Sequence, residues 1–499
     1  MAGFSLSIAG AASVYSYTYP TYSFTAAVGG VDVASSLTSV IWYIDGTKAV
    51  TATSSSAPAA ASPGFPGAQA AGTSVANCQM HLDSNSSFTT VGTFAIVCEV
   101  AYNGCLYSAT TKIRRMDESS SAPGQLRWPA PAICTRMPTD PALSPSGVIY
   151  VGSDNGWLQP INASTGALGT TPTVPNVYPY PPAIARDGRV LCITSGSEAY
   201  YFVPSSWTYR NGIGGGMYGP TAIATDGTVY AAQNTPSIFG LTENSSSVHG
   251  SQFDIAISPS LSALITTGIS IGASGTIYFG CADQRLYAVS PGGAILWSVN
   301  LGGATLSTPA IDSAGNIYIG ADTPSGSLFK ISAAGSVLWD CTFAAWNPTI
   351  NSSPVIGADE TTVYVAGGTA SSGFLFAVTT AAGLLKAQNT FSDIHYGSPA
   401  VAADGTVYLC MDDGSSGKLY AYRDNGSSLD GQWTYTLPGS ALTGSSSPLI
   451  GPDGTVYFSG ANASTGYVYA VYGSVGPATS GWPMLGKNAR RTACASDGQ

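Results

Sequence analysis

Charge is what this chain has least of. Across 499 residues, Lys and Arg total 17 and Asp and Glu 27, so charged residues make up 9%, against roughly a quarter in an ordinary soluble domain. The net charge is −10. A grip on nucleic acid needs clustered cations that displace counterions from phosphate, so no nucleic-acid partner is expected. Two small basic groups, Lys112 with Arg114 and Arg115, and Lys487 with Arg490 and Arg491, read as a strand end and a solvated tail. No apolar run reaches the length of a helical span, so no membrane insertion is expected. The start, Met1-Ala2-Gly3-Phe4-Ser5, has no basic leader and no lipid-attachment cysteine, and no signal peptide is expected from it. Histidine is scarce. His81, His249 and His395 have no Glu or His at ligand spacing, and each reads as a solvated or hydrogen-bonded side chain.

Motifs are missing as well. There is no CxxC and no Cys/His cluster, hence no expected zinc site. No Gly-x-Ser-x-Gly elbow sits on a strand-helix junction, and no Gly-x-x-x-x-Gly-Lys-Ser/Thr phosphate loop occurs. Nine cysteines are scattered through the chain: Cys78, Cys98, Cys105, Cys134, Cys192, Cys281, Cys341, Cys410 and Cys494. Cys98 and Cys105 stand close in sequence. Asn103-Gly104 between them is a two-residue hairpin signal that pairs Tyr102 with Cys105 and Cys98 with Ala109. That register holds the two sulfurs apart, and buried, unpaired thiols are expected.

What is present is strand and turn. Residues 1–118 form one region. Tyr22 to Val28 alternates like a half-buried strand, Ser39 to Ile44 follows, and Gln79 to Leu82, Gly92 to Val100 and Leu106 to Ile113 complete a set of short strands. Residues 52–75, rich in Ala, Ser, Pro and Gly, read as a long flexible loop that orders on docking. The strands, the Trp midway and a Gly-x-Phe before the penultimate strand resemble an immunoglobulin-like β-sandwich. The earlier cysteine of the usual inter-sheet disulfide, expected near Thr25, is missing. Residues 119–125 are a polar linker.

From residue 126 to 499 a phrase recurs: small-Pro-Ala-Ile, then Asp-Gly-Thr-Val-Tyr, then Leu-Tyr-Ala-Val. Counted by the aromatic that ends its second strand, it falls at Tyr150, Leu191 (a substitute), Tyr230, Tyr278, Tyr318, Tyr364, Tyr408 and Tyr457, at gaps of 39 to 49 residues. A period of this length built of strand and turn predicts a β-propeller. Eight blades fit; seven is the alternative, because the second and third units are degenerate. Small residues suit a crowded innermost strand, Pro is tolerated where its nitrogen faces the channel, and Asp-Gly makes the hairpin.

Leu286-Tyr287-Ala288-Val289 followed by Gly292-Gly293-Ala294-Ile295-Leu296-Trp297, the equivalents at 328–339, and Ile161-Asn162-Ala163-Ser164-Thr165-Gly166 resemble the propeller repeats of the pyrroloquinoline quinone family. The resemblance covers about three quarters of the chain. It implies blade architecture. For an enzyme of that family it would imply a calcium site of Glu, Asn and Asp, a catalytic Asp, an Arg beside the quinone and adjacent cysteines. Adjacent cysteines do not occur. Asp154, Asp322, Asp412 and Asp413 follow repeat tyrosines, and an acid repeated at one place reads as a turn former. Tyr178, Tyr180, Tyr200, Tyr201, Trp207 and Tyr209 are a surplus of aromatics in the degenerate units and read as fillers of irregular blades, with sugar stacking or protein contact the alternative. Six Asn-x-Ser sequons, at Asn85, Asn162, Asn244, Asn351, Asn425 and Asn462, are expected by chance in a chain so rich in serine.

The whole reads as all-β: an immunoglobulin-like sandwich followed by a propeller, non-catalytic, with no catalytic, cofactor or metal residues and no bound cofactor. The expected role is structural display or adhesion, as a component of a phage virion or an extracellular surface. Its expected partners are protein subunits of a larger assembly or a surface glycan. The alternatives are a quinone-dependent dehydrogenase and a periplasmic scaffold of outer-membrane assembly.

Overall fold

The computed structural model describes residues 4–9, 13–14, 21–28, 31–44, 47–53, 56–60, 68–71, 74, 76, 78–82, 92–103, 105–115, 122–134, 138–153, 158–171, 180–185, 188–193, 199–203, 208–211, 217–233, 237–242, 251–257, 260–392, 395–412, 416–438, 446–462, 464–479 and 481–496. The chain divides into two compact units, Met1–Ala122 and Pro123–Gln499. Among the described residues there is no α-helix; one 3₁₀ turn lies at Ala34–Ser36. No helix is long and apolar enough to cross a membrane.

The first unit has eleven strands: β1 (Phe4–Ala9), β2 (Ser13–Val14), β3 (Thr21–Val28), β4 (Val31–Asp32), β5 (Ser39–Ile44), β6 (Thr47–Thr53), β7 (Ser56–Ala60), β8 (Ala68–Ala71), β9 (Gln79–Leu82), β10 (Gly92–Tyr102) and β11 (Cys105–Arg115). They form two sheets, β1-β3-β9-β8 with β4 on β3, and β2-β11-β10-β5-β6-β7. Every pairing is antiparallel except β2 on β11. Asn103 takes the left-handed conformation at φ 50° that the hairpin requires. The register follows, with Tyr102 opposite Cys105 and Cys98 opposite Ala109. Trp42 on β5 is fully buried and faces Cys98 across the strand pair.

Two strands, β7 and β8, stand where the Ala/Ser/Pro composition of 52–75 reads as loop. Alanine and serine are weak strand formers, but cross-strand pairing overrides such preferences. Pro58 is tolerated because β7 is the edge of its sheet, where a missing N–H costs no ladder bond.

The second unit is a β-propeller of small antiparallel sheets. Among the described residues eight follow one another, each named here from its innermost strand to its outermost. Sheet 1 runs from Ala142–Leu143 to Leu158–Asn162, sheet 2 from Ala183–Ile184 to Thr208–Asn211, and sheet 3 from Met217–Ile223 to Ser251–Ile255. Sheet 4 runs from Ser270–Ile271 to Ile295–Asn300, sheet 5 from Ala310–Ile311 to Val337–Thr342, and sheet 6 from Val355–Ile356 to Leu385–Phe391. Sheet 7 runs from Ala400–Val401 to Leu429–Thr436, and sheet 8 from Leu449–Ile450 to Ala132–Cys134. Sheet 1 has three strands in the described residues; the degenerate second and third units each build four. One register holds throughout. The repeat aromatic, or Leu191, sits opposite the first or penultimate residue of its innermost strand, as in Tyr318 with Ala310 and Tyr457 with Leu449. All eight are buried. They fill the gaps between sheets, so no sheet has to cover its faces alone.

Two devices join neighbours. Outer-strand tryptophans reach the next sheet: Trp297 Nε1 donates to the Ala333 carbonyl at 2.9 Å, Trp339 to Thr380 at 2.9 Å, and Trp128 to Ala163 at 3.1 Å. Each indole lies on a glycine with positive φ, at Gly335, Gly383 and Gly166, where a Cβ would fall within 2.6–2.7 Å of the ring. The second device closes the ring. Ala132–Cys134, from the start of the unit, pairs with Gly466–Tyr472 near its end. Arg127 beside it is buried, ion-paired to Asp453, and bonded to Thr455.

Candidate functional site

The centre of the propeller is where the repeated small-Pro-small phrase converges. Proline removes one donor and fixes its own φ, and the two residues before it carry the hydrogen bonding. The nearer of the two links adjacent sheets. Thr308 N donates to Ser353 Oγ at 3.0 Å, Ser353 N to Ser398 Oγ at 2.8 Å, Ser398 N to Ser447 Oγ at 3.1 Å, and Ser447 N to Asp140 Oδ1 at 2.8 Å. The farther one holds its own sheet. Thr139, Thr267, Ser307, Ser352 and Ser446 each accept a second-strand amide at 2.7–3.2 Å. This relay of hydroxyls runs from sheet 5 to sheet 1 around the inner ring.

The chain's own C-terminal segment lies along this ring. Lys487, Arg490 and Arg491 are 9, 9 and 4% exposed, and Asn488 and Thr492 are buried with them. The expectation of a solvated tail is therefore wrong. The segment is anchored by apolar neighbours that a charge count overlooks: Trp482 and Met484 are buried in the core, with Ala493 and Cys494. Its carbonyls accept from one equivalent amide of the innermost strands of sheets 1 to 4, 6 and 7. Leu143 N donates to Ala489, Ile184 N to Arg490, Ile223 N to Thr492, Ile271 N to Ala493, Ile356 N to Trp482, and Val401 N to Pro483, all at 2.7–2.8 Å. Arg491 forks among three carbonyls: Nε to Pro141 at 2.7 Å, Nη1 to Leu485 at 3.1 Å, and Nη2 to Ser447 at 2.9 Å. Burial pushes the Asp140 carboxyl above its ordinary value, opposed by Arg491 and by the Ser447 donors.

A second feature is a cleft of roughly 290 Å³ between sheets 6 and 7, with Asp359, Tyr364, Lys386, Asp404 and Asp424 on its walls. Lys386 Nζ bonds Asp424 at 2.7 Å and Thr362 Oγ1 at 3.0 Å, and Tyr364 donates to Asp424 at 2.8 Å. Burial works to raise Asp424, but Lys386, the Gly426 amide and Tyr364 outweigh it and hold the carboxyl below its ordinary range. Asp404 pairs with Arg423 at 3.1 Å. The acids of this cleft are neutralised by their own neighbours.

Of the acids singled out from the sequence, Asp322 is exposed beside a turn, where the turn reading puts it. Asp412 is different: it ends the strand Thr406–Asp412 and is buried, in register with His395. Asp154 and Asp413 lie outside the described residues. So do His249, Tyr178, Trp207, Asn85 and Asn244. His81 is on β9. Lys112, Arg114 and Arg115 are on β11. Tyr200 and Tyr201 pair with Asn211 and Arg210 inside sheet 2, where Tyr209 also lies, and Tyr180 is half-buried just before that sheet. Asn351 is exposed. Asn162, Asn425 and Asn462 accept the amides two and three residues on, so these sequons do turn chemistry. Among the described residues no three His, Cys, Asp or Glu side chains gather as metal ligands. The residues the sequence reading missed are those of 482–494. The signal was there in Trp482-Pro483-Met484-Leu485, an apolar run unlike a solvated tail.

Residues 282–476 match the family model described as outer membrane protein assembly factor BamB. No curated protein matches the chain. Among solved structures, BamB from Moraxella catarrhalis is similar at 14% identity and TM-score 0.50, over 68% of this chain and all of that one. Sqt1 of Saccharomyces cerevisiae is similar at 11% identity and TM-score 0.55, over 68% of this chain and 98% of that one. The repeats within residues 282–476 are thus similar to propeller repeats of the pyrroloquinoline quinone type, and the fold is one shared with propellers of quite different sequence.

Proposed function

We propose that this protein is a non-catalytic interaction propeller, carried on an immunoglobulin-like sandwich and displayed on a phage virion or an extracellular surface. The observation that carries the non-catalytic part is the filled channel: six innermost strands give their inward amides to the chain's own segment. A propeller enzyme that works at its axis needs that space. Protein contact is supported at the rim. At the start of the outer strands of sheets 4, 5 and 6, Leu296, Val337, Leu338 and Leu384 are 55, 47, 51 and 65% exposed, an apolar strip of the kind that meets neighbouring subunits. The sandwich assignment rests on strand order. The two sheets, with an extra pair of strands beyond β5 on the second, follow the variable-type arrangement, with the buried Trp42 on β5 in the place such domains keep one.

A charge-poor, polar surface suits an exposed particle, which is an argument from composition. The test is mass spectrometry of purified particles and of cell fractions. The protein is expected in the particle; recovery only as a free, processed periplasmic form would overturn the virion reading. Periplasmic recovery would favour the second reading, an assembly scaffold, which the match at 282–476 supports. Reconstitution with the quinone and calcium is expected to give no dye-linked oxidation of alcohols or sugars. A glycan array separates adhesion from pure scaffolding.

A further inference from the structure

The innermost strands present a row of main-chain donors at one repeated position: Leu143, Ile184, Ile223, Ile271, Ile356 and Val401. Inward-facing amides at a dry axis need acceptors. All six find theirs in residues 482–493, within a 0.1 Å spread of bond length. We infer that this collar is a binding site for a turn-rich peptide, and that the chain fills it with its own segment.

Three observations carry this. First, the recognition is main chain to main chain, one amide from each of six strands, with pockets for a few side chains. Trp482 and Met484 fill apolar sites at 1 and 0% exposure, and Arg491 spans carbonyls of sheets 1 and 8 with a planar fork. Second, the segment is bent to fit the collar. Lys487, Arg491 and Ala493 hold φ of 69°, 58° and 48°, three non-glycine residues in the left-handed region within seven positions. Such strain persists only where surrounding contacts over-determine it. Third, the collar's own geometry is repeated from sheet to sheet, so the site exists apart from its occupant. The ligand class is a peptide that turns as this segment does, with large apolar residues followed by an arginine. Any partner that enters the channel has to displace the segment.

The test uses the full chain with a protease recognition sequence inserted after the exposed Thr479. One cut frees residues 480–499, which hold all six acceptors. The fragment is expected to stay with the body through gel filtration at micromolar concentration and to exchange with an excess of fluorescent synthetic peptide of that sequence. The same peptide carrying Arg491→Ala is expected to bind at least tenfold more weakly. A fragment that leaves the column separately from a body melting at the temperature of the uncut protein would overturn the inference. An uncut Arg491→Ala protein gives a second readout. Faster amide exchange at Leu143, Ile184 and Ile223 is expected, and unchanged exchange there counts against the site.

Discussion

Asp453 is the residue whose chemistry is easiest to test. Burial works to raise its carboxyl, and Arg127 with the Thr455 donors outweighs it, so the group sits below its ordinary range. A depressed carboxylate stabilises the fold above the unfolded value near 4 and loses that contribution as pH falls through the native value. The wild type is therefore expected to lose stability more steeply than Asp453→Asn as pH falls below about 4. At pH 7 the variant should be weaker by roughly 2–4 kcal/mol, since it leaves Arg127 buried beside an uncharged partner. Denaturant melts at pH 7, 4 and 3 check both points; parallel curves for the two proteins would refute them. The cysteines make a second residue-scale prediction. Among the described residues eight are buried thiols, and burial pushes thiols up, Cys78, Cys281 and Cys341 to about 11. Few thiolates exist at neutral pH. A thiol reagent is expected to leave these eight unmodified in the native protein and to label them in denaturant.

At the scale of the element, the joints between sheets should matter more than the sheets. Gly383→Ala puts a Cβ 2.6 Å from the Trp339 ring and asks alanine for φ 65°. It is expected to cost roughly 2–4 kcal/mol, whereas a surface Gly→Ala at ordinary φ stabilises by about 0.4–1 kcal/mol. Ser353→Ala removes the acceptor of the Thr308 amide at a buried link and is expected to cost about 1–3 kcal/mol. Equal small effects for both in urea melts would show that the sheets stand without their joints. These elements also show what a sequence makes legible. The strand cores, the Asn103 hairpin register and the buried repeat tyrosines could be read, because each is a local rule of alternation or turn chemistry acting on neighbouring residues. The tail, the hydroxyl relay and β7 with β8 could not. The tail's contacts and the relay depend on partners far along the chain: Arg491 on Pro141 and Ser447, Ser447 on Asp140. Apart from the apolar run Trp482–Leu485, local composition carries no trace of those pairings. β7 and β8 pair with the adjacent β6 and β9, but alanine and serine are too permissive to announce a strand.

At the scale of the molecule, stability rests on a ring that must be joined to itself. A chain beginning at Pro123 keeps Arg127, Trp128 and Ala132–Cys134 and is expected to fold as a propeller. One beginning at residue 136 loses the outer strand of sheet 8 and the Trp128 contact with Ala163, and is expected to melt lower by roughly 10 °C or more. Calorimetry on the two decides it; equal melting temperatures would mean the joint is decorative. The same feature orders events in time. Sheet 8 takes one strand from Ala132–Cys134 and three from residues 449–472, made after the other seven sheets. During synthesis the growing polypeptide is an open arc with a bare edge at each end, and it stays so until residues 449–472 have emerged. A ribosome stalled short of that point holds an unfinished, aggregation-prone product, so synthesis is most exposed to interruption just before those residues appear.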